Sequence, residues 1–268
     1  SLRLTDAPID MASRVVVQFV EVRLRKKDGG WQDFPLDAPQ SIDLLQLHGT
    51  NTADLLLDIE VDAGDYDEIR LLVDPTPNTS FIELSVGGLT YPLVMPSGIS
   101  SGLKLKGEFT LRSTRASNLT VDFDLRKSIV RTGAGNYLLK PVLRLVDDAN
   151  AGHIRGMVDV SKLDNSLGNC SDADPVTYNA LYVYDGSNVT PDDINQTSSS
   201  NIEPVTTTAI MFDSASGRYL YEAAFLPAGD YTIAFTCRSD FEDVEADDDL
   251  MFFDIQNVSV LVNNTNFL

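Results

Sequence analysis

The chain has 268 residues, 43% of them hydrophobic, and a formal net charge of −20 at pH 7. That length suffices for two domains that each bury a core, and no apolar run approaches the roughly 20 residues of a membrane-spanning helix. Residues 1–150 hold 16 Lys/Arg against 21 Asp/Glu, and residues 151–268 hold 4 against 19; such a field repels nucleic acid and anionic lipid, and leaves cations, basic partners or plain solubility as its uses.

The opening Ser1-Leu2-Arg3-Leu4-Thr5 has no secretory leader and reads as a mature or trimmed start. Residues 13–24 form the first long strand. Val15, Val17 and Phe19 share one face, then the apolar phase moves to Val20, Val22 and Leu24. A phase slip within one strand is the mark of a β-bulge. Asp28-Gly29-Gly30 makes a hairpin turn, and Trp31, the only Trp, follows as a core or rim residue.

Residues 41–57 are the least strand-like part of this half. Ile42, Leu44, Leu45 and Leu47 suit a short helical turn, and Asn51-Thr52 could cap another. A strand from Leu55 to Val61 then enters Ala63-Gly64-Asp65-Tyr66. That tetrad returns as Ala228-Gly229-Asp230-Tyr231, again before an apolar run. Gly supplies positive φ, Asp bonds its own backbone, and the Tyr hydroxyl anchors the corner. Ile69, Leu71 and Val73, or Ile233, Phe235 and Cys237, then alternate inward. Two copies of one corner predict two β-sandwich modules.

After the break at Pro75–Asn78, residues 81–86 and 89–93 form a hairpin around Gly87-Gly88, and Pro92 argues that its second strand is an edge. Leu103–Leu111 alternates, with Gly107 a bulge and Lys104 and Lys106 outward. Leu119, Val121, Phe123 and Leu125 point inward; Thr120, Asp122, Asp124 and Arg126 point outward, and residues 137–146 close the half. If these last two strands pair, Asp122, Asp124 and Arg126 meet Lys140 and Arg144 as a cross-strand charge ladder. That ladder is either a polar binding face or an ordinary salt-bridged exterior.

Four segments now carry a resemblance: Leu4–Pro8, Ser101–Leu105, Val121–Val130 and Tyr137–Leu145. In this order, over about residues 1–147, they resemble the bacterial family of unknown function DUF4382. The resemblance implies a lipoprotein whose N-terminal lipidated Cys is absent here, and it brings no activity or catalytic residue.

Residues 147–153 read as a polar linker, which divides the chain into domains at 1–148 and 149–268. The second module opens with His153–Val160, where Ile154, Gly156, Val158 and Val160 share a face. With the strand 180–184 and Leu226–Ile233, it is similar to carboxypeptidase-regulatory-like and transthyretin-like sandwiches. Thr190-Pro191-Asp192-Asp193-Ile194 reads as one helical turn. Residues 209–212 and 219–225 flank a hairpin turn at 213–217, and the last strand spans about 252–262 before an Asn-rich tail.

The two cysteines, Cys170 and Cys237, both lie in the acidic half. They predict a disulfide and an oxidising compartment; a pair of free thiols is the alternative. In the chain-entropy model such a bridge stabilises by about 4 kcal/mol. Ser239–Asp249 holds seven carboxylates in eleven residues. Asp240, Glu242, Asp243, Asp247, Asp248 and Asp249 are candidate calcium ligands, because Ca²⁺ takes six to eight oxygens from a flexible loop. The Asp-x-Asp-x-Asp-Gly order of a dedicated loop is missing, so a solvated, self-repelling loop is the competing reading.

Gly98-Ile99-Ser100-Ser101-Gly102 matches the Gly-x-Ser-x-Gly elbow of hydrolases, with Asp122 or Asp124 and His153 following. Its context opposes that use: a Pro-containing loop precedes it and an alternating strand follows. His48 and His153 have no second His or Cys at ligand spacing. The sequence therefore predicts an all-β protein of two antiparallel Greek-key sandwiches, Ig-like or transthyretin-like. It is expected to be a non-catalytic, extracytoplasmic ectodomain anchored at the outer membrane and binding a protein or glycan at the envelope. A surface-fibre subunit and a hydrolase are the alternatives.

Overall fold

The structure, a computed structural model, describes residues 1–96, 101–159, 178–198 and 202–268. In chain order its strands are β1 (Leu2–Ala7), β2 (Ala12–Lys26), β3 (Trp31–Asp43), β4 (Ala53–Leu56), β5 (Gly64–Val73), β6 (Phe81–Leu84), β7 (Thr90–Val94), β8 (Leu103–Leu111), β9 (Leu119–Asp124) and β10 (Ile129–Arg131). There follow β11 (Tyr137–Leu139), β12 (Leu143–Asp147), β13 (Ala151–Val158), β14 (Ala180–Asp185), β15 (Thr206–Ala209), β16 (Met211–Asp213), β17 (Arg218–Pro227), β18 (Gly229–Thr236), β19 (Phe253–Val260) and β20 (Thr265–Phe267). A single turn of α-helix, α1 (Leu125–Ser128), separates β9 from β10. The fold is all-β, mainly antiparallel, and built of sandwiched sheets. The chain divides into two compact units. Unit 1 is Ser1–Asp6, Ala12–Leu47 and Asn51–Ala149; unit 2 is Ala7–Met11, His48–Thr50 and Asn150–Leu268.

In unit 1 one sheet runs β12-β9-β1-β4, and the other runs β10-β11-β7-β6-β2-β5-β8, with β3 also on β2. The 15-residue β2 organises the larger sheet. Its first half pairs with β6, its second half with β5, and β3 lies along its other edge. The expected bulge is present. Register shifts between Phe19 and Glu21 against both β3 and β5, and the buried set passes from Val15, Val17 and Phe19 to Val22 and Leu24. A second bulge sets Gly107 and Glu108 of β8 against Asp67 of β5. Trp31 is a rim residue, 38% exposed, with the Arg70 guanidinium 4.3 Å from its ring centroid and Arg25 at 5.7 Å.

Both repeated corners are anchored by their tyrosines, but the rest of the expected turn chemistry differs: Gly64 takes positive φ and Gly229 does not, and the Asp65 and Asp230 carboxylates accept the Thr110 and Ser259 hydroxyls of neighbouring strands. The Tyr66 hydroxyl donates to the Asp62 carbonyl at 2.6 Å, and Tyr231 donates to the Pro227 carbonyl at 2.8 Å, each four residues upstream. Both rings are buried.

Several elements differ from the sequence reading. Ile42 belongs to β3, and only Leu44–Leu47 forms a helical (3-10) turn. Ala53–Leu56, expected to start a helix, is strand β4, since it finds β1 as a partner. That strand stops at Leu56, because Leu57 turns outward and Asp58 takes φ 50°. β7 is no edge: it pairs with β6 and, in parallel, with β11. Pro92 is tolerated because β11 meets only Leu93 and Val94, beyond the missing N–H. Residues 137–146 are two strands in different sheets. Pro141 lies at the break, where the Lys140 and Val142 amides donate to the carbonyl and hydroxyl of Ser128.

Unit 2 has two four-stranded sheets, β16-β17-β13-β20 and β15-β14-β18-β19. Between them pack Ile154, Leu181, Val183, Tyr221, Leu226, Ile233, Phe235 and Cys237. The expected strand 209–212 divides between the sheets: Ala209 ends β15, and Met211 begins β16. The Asn-rich tail does not trail away, since Thr265–Phe267 pairs in parallel with β13. His153 is not a linker residue. It lies in β13 opposite a bulge at Phe225 (φ 53°), and its Nδ1 accepts the Phe225 amide at 3.2 Å.

Candidate metal centre

β14 presents two faces. Leu181 and Val183 enter the core of unit 2, so period-2 alternation sends Tyr182 and Tyr184 to the opposite face. Both tyrosines are nonetheless fully buried, because two loops cover them. One loop follows β14, residues 186–198; the other follows β18, residues 237–252. Phe252 packs edge-on against Tyr182 and Tyr184, with centroids 5.2 Å and 6.4 Å away. Each loop contributes a buried aliphatic residue, Ile194 and Val244, and the Gln196 amide donates to the Val244 carbonyl at 3.0 Å.

The segment 190–194 is not the helical turn its Thr-Pro-Asp-Asp pattern predicts. Its amides are taken from outside: Asp192 N–H donates to the Tyr184 hydroxyl at 3.2 Å, Ile194 N–H to Glu242 Oε1 at 3.2 Å, and Asn195 N–H to Glu203 Oε1 at 2.9 Å. Glu242 also accepts the Tyr182 hydroxyl at 2.6 Å. The acidic run is thus bonded into the other loop.

These bonds gather carboxylates from both loops. Oxygens of Asp192, Asp193 and Asp247 lie within 4.8 Å of one another, as do those of Asp193, Glu242 and Asp248. Asp193 belongs to both triads and is 1% exposed. Its Oδ2 accepts the Asp248 amide at 2.5 Å. Burial pushes its carboxyl above the ordinary range, and the charges of Asp192, Asp247 and Asp248 push the same way, against the Asp248 amide. A hard divalent cation reverses both effects, since it supplies the positive charge that a convergent set of oxygens lacks.

Of the six residues read from the sequence as calcium ligands, Glu242, Asp247 and Asp248 enter these triads and Asp240, Asp243 and Asp249 do not. Asp240 lies exposed in the turn Ser239–Phe241; Asp243 is exposed and its amide donates to Asp248 Oδ2 at 2.5 Å; Asp249 is exposed. Asp192 and Asp193 were not anticipated as ligands. A signal existed: after Ile194 the chain reads Asn-Gln-Thr-Ser-Ser-Ser, with no apolar residue to continue a helical face. Cys237 is buried in the core, whereas Cys170 lies outside the described residues, as does Ser100 of the Gly-x-Ser-x-Gly match.

Unit 1 holds a second charged cluster. Asp122 and Arg144 face each other across the β9–β12 ladder, with Arg144 Nη2 2.6 Å from Asp122 Oδ2. Asp124 caps α1 by accepting the Lys127 amide at 3.1 Å, and Lys127 Nζ lies 3.6 Å from its Oδ2. The expected exterior ladder is in fact a covered face: all six residues of β9 are buried, and so are Arg126 and Lys127. Lys140 takes no part in the β9–β12 ladder, since it precedes β12. Asp6, at the end of β1, is 6% exposed, and neither carboxyl oxygen makes a hydrogen bond of ordinary geometry. Burial pushes its carboxyl well above the ordinary range, as do the charges of Asp122 and Asp124; the Leu125 amide and Arg126 pull the other way. Within unit 1, Leu4–Asp6 therefore meets residues 122–126 in space. The profile of the family described as Domain of unknown function (DUF4382) matches residues 1–141.

The chain belongs to this family. No curated protein matches this DUF4382 member. Among solved structures it is similar to GBS52, the minor pilin of Streptococcus agalactiae, at 12% identity over 100% of this chain and 92% of that chain, with a TM-score of 0.22. It is also similar to the Bacillus anthracis TIE protein, at 10% identity and a TM-score of 0.21; the match covers 98% of this chain and 37% of that one. TM-scores this low do not establish a shared overall arrangement.

Proposed function

We propose that this DUF4382 member is a non-catalytic binding module of a bacterial envelope lipoprotein, and that a calcium ion joins the two loops over Tyr182 and Tyr184. The carrying observation is the convergence of Asp192, Asp193, Glu242, Asp247 and Asp248 from segments some fifty residues apart onto a buried carboxylate. Loops on a rigid sandwich are where recognition residues concentrate, so a cation that fixes these loops would present a defined surface to a protein or glycan. Support for the envelope assignment is the family resemblance, the all-β architecture and the use of cysteine. We read Cys170–Cys237 as a disulfide of an extracytoplasmic protein, and among the described residues no cysteine is free. The second sandwich is proposed to be a transthyretin-like module that folds separately from the first, with the division near residue 148.

Calorimetric titration of calcium into the oxidised, chelator-stripped chain tests the reading. The expected result is one saturable event and a higher Tm, lost together in Asp193→Asn and Glu242→Gln and kept in Asp249→Asn, which lies outside both triads. At free calcium about 100 times Kd the stabilisation is about 2.7 kcal/mol. Absence of saturable heat and of any Tm shift would remove the ion from the proposal.

A further inference from the structure

Unit 1 contains a cavity of about 320 Å³ at one end of its sandwich. Its floor is a row across three neighbouring strands: Leu119 of β9, Leu2 of β1 and Leu56 of β4, with Leu2 and Leu56 in register. Leu24 of β2 and Leu111 of β8 face it from the larger sheet. Ile59 and Val61 close one flank. The mouth is formed by the loop after β8, including Arg112, Arg115 and Ala116.

Sandwich interiors are packed close to crystal density, with few voids larger than a water molecule. An apolar space of this size between two sheets is instead of the order found for ligand sites, and lies at their lower limit. It holds about ten methylene-sized groups. Its strand walls are aliphatic, Ser1, Asp58, Arg112, Arg115 and Ser117 supply the polar part of the lining, and no aromatic residue lines it as a stacking partner. Sheets pack about 10 Å apart, so a guest between them must be slender. The mouth sets the sign of its head. Arg115 is paired with Asp147 at 3.3 Å, whereas Arg112 has neither an ion-pair nor a hydrogen-bond partner among the described residues. The acid on the rim, Asp58, accepts the Ser1 hydroxyl at 3.3 Å. The net charge of −20 repels anions at long range, so the local charge decides: an unpaired arginine at the opening of the slot is matched by an anionic head on a straight chain.

We propose that unit 1 binds a medium-chain alkyl carboxylate, with the alkyl chain between the two sheets and the carboxylate on Arg112. Nothing in this depends on the acidic loops of unit 2, and a titration run in chelator separates the two.

The probe is decanoate below its micellar concentration, titrated calorimetrically into the full chain with EDTA present; decanol and butyrate serve as comparators. One saturable site is expected, tighter for decanoate than for either comparator. Arg112→Gln should weaken decanoate about tenfold, since a charge-assisted contact is lost, and leave decanol unchanged. Ala116→Trp sets an indole over the mouth from an exposed position; it should abolish binding of both and leave the melting temperature unaltered. No saturable decanoate heat overturns the proposal. Equal affinity for decanoate and decanol, with no effect of Arg112→Gln, overturns the carboxylate assignment. Retention of decanoate by Ala116→Trp overturns the slot as its place.

Discussion

Asp6 carries a buried carboxyl among Asp122, Asp124, Arg126 and the Leu125 amide. Its pKa is raised in the folded state, so the folded chain holds a proton that the unfolded chain releases. The sign follows. Below the unfolded value of about 3.9 the group is neutral in both states and costs nothing. As pH rises from there through the folded pKa, the wild type loses stability. Asp6→Asn keeps a similar shape and removes the titration. The variant should therefore melt above the wild type at pH 7, with the difference shrinking to near zero at about pH 4; paired thermal melts across that range check it. A pH-independent difference would assign the effect to packing. The tyrosine corners give a second test at this scale. Tyr66→Phe and Tyr231→Phe each remove one hydroxyl from a backbone carbonyl and should each cost about 1 kcal/mol in urea unfolding.

At the scale of elements, the sequence made local features plain and left covered faces hidden. The bulge in β2, the Gly87-Gly88 turn and the tyrosine anchors of both Ala-Gly-Asp-Tyr corners follow from periodicity and local chemistry, which act over a few residues. The alternation in β9 does not mark an exterior face, because it distinguishes two faces only while one of them meets water, and all six residues of β9 are buried. Here Asp122 and Asp124 lie under cover: Asp122 is bonded by Arg144 across the ladder, while Asp124 caps α1 through Oδ1 and has only the Lys127 ammonium, 3.6 Å away, beside its Oδ2. The candidate site was half legible for the same reason. Its acidic run is contiguous, but its buried centre, Asp193, belongs to another loop whose amides are claimed by Tyr184, Glu242 and Glu203. Pairing of the tail with β13 was likewise invisible, and it has a testable origin. A Cβ on Gly152 would stand 2.2 Å from the Leu261 carbonyl oxygen and 3.0 Å from that of Asn264. Gly152→Ala should therefore cost about 1–3 kcal/mol as overpacking against backbone. It should also speed hydrogen exchange at His153, Asn263 and Leu268, whose amides hold the tail to β13. Unchanged exchange at those three would show that the tail is held by other contacts.

At the scale of the whole chain, charge and fluorescence are both unequally divided, and the inequality makes the two units separable by experiment. Residues 151–268 carry a net −15, from 4 Lys/Arg and 19 Asp/Glu, against −5 for residues 1–150. Self-repulsion opposes the compact state, and salt screens it over a Debye length of about 10 Å at 0.1 M. Added sodium chloride should therefore stabilise unit 2 more than unit 1. The only Trp, Trp31, lies in β3 of unit 1 between Arg25 and Arg70, so its emission follows unit 1, while far-UV circular dichroism follows both units. If the units unfold independently, raising salt from about 0.01 M to about 0.5 M moves the dichroism transition upward and the Trp31 transition much less. Millimolar calcium, added in the high-salt buffer, then moves only the dichroism transition again, because screening has already been supplied and only a specific site can add to it. Coincident transitions by both probes at every salt and calcium concentration would mean that unit 1 and unit 2 unfold as one cooperative body. In that case the acidic loops would act on the stability of the whole chain, and neutralising Asp193 would be felt at Trp31.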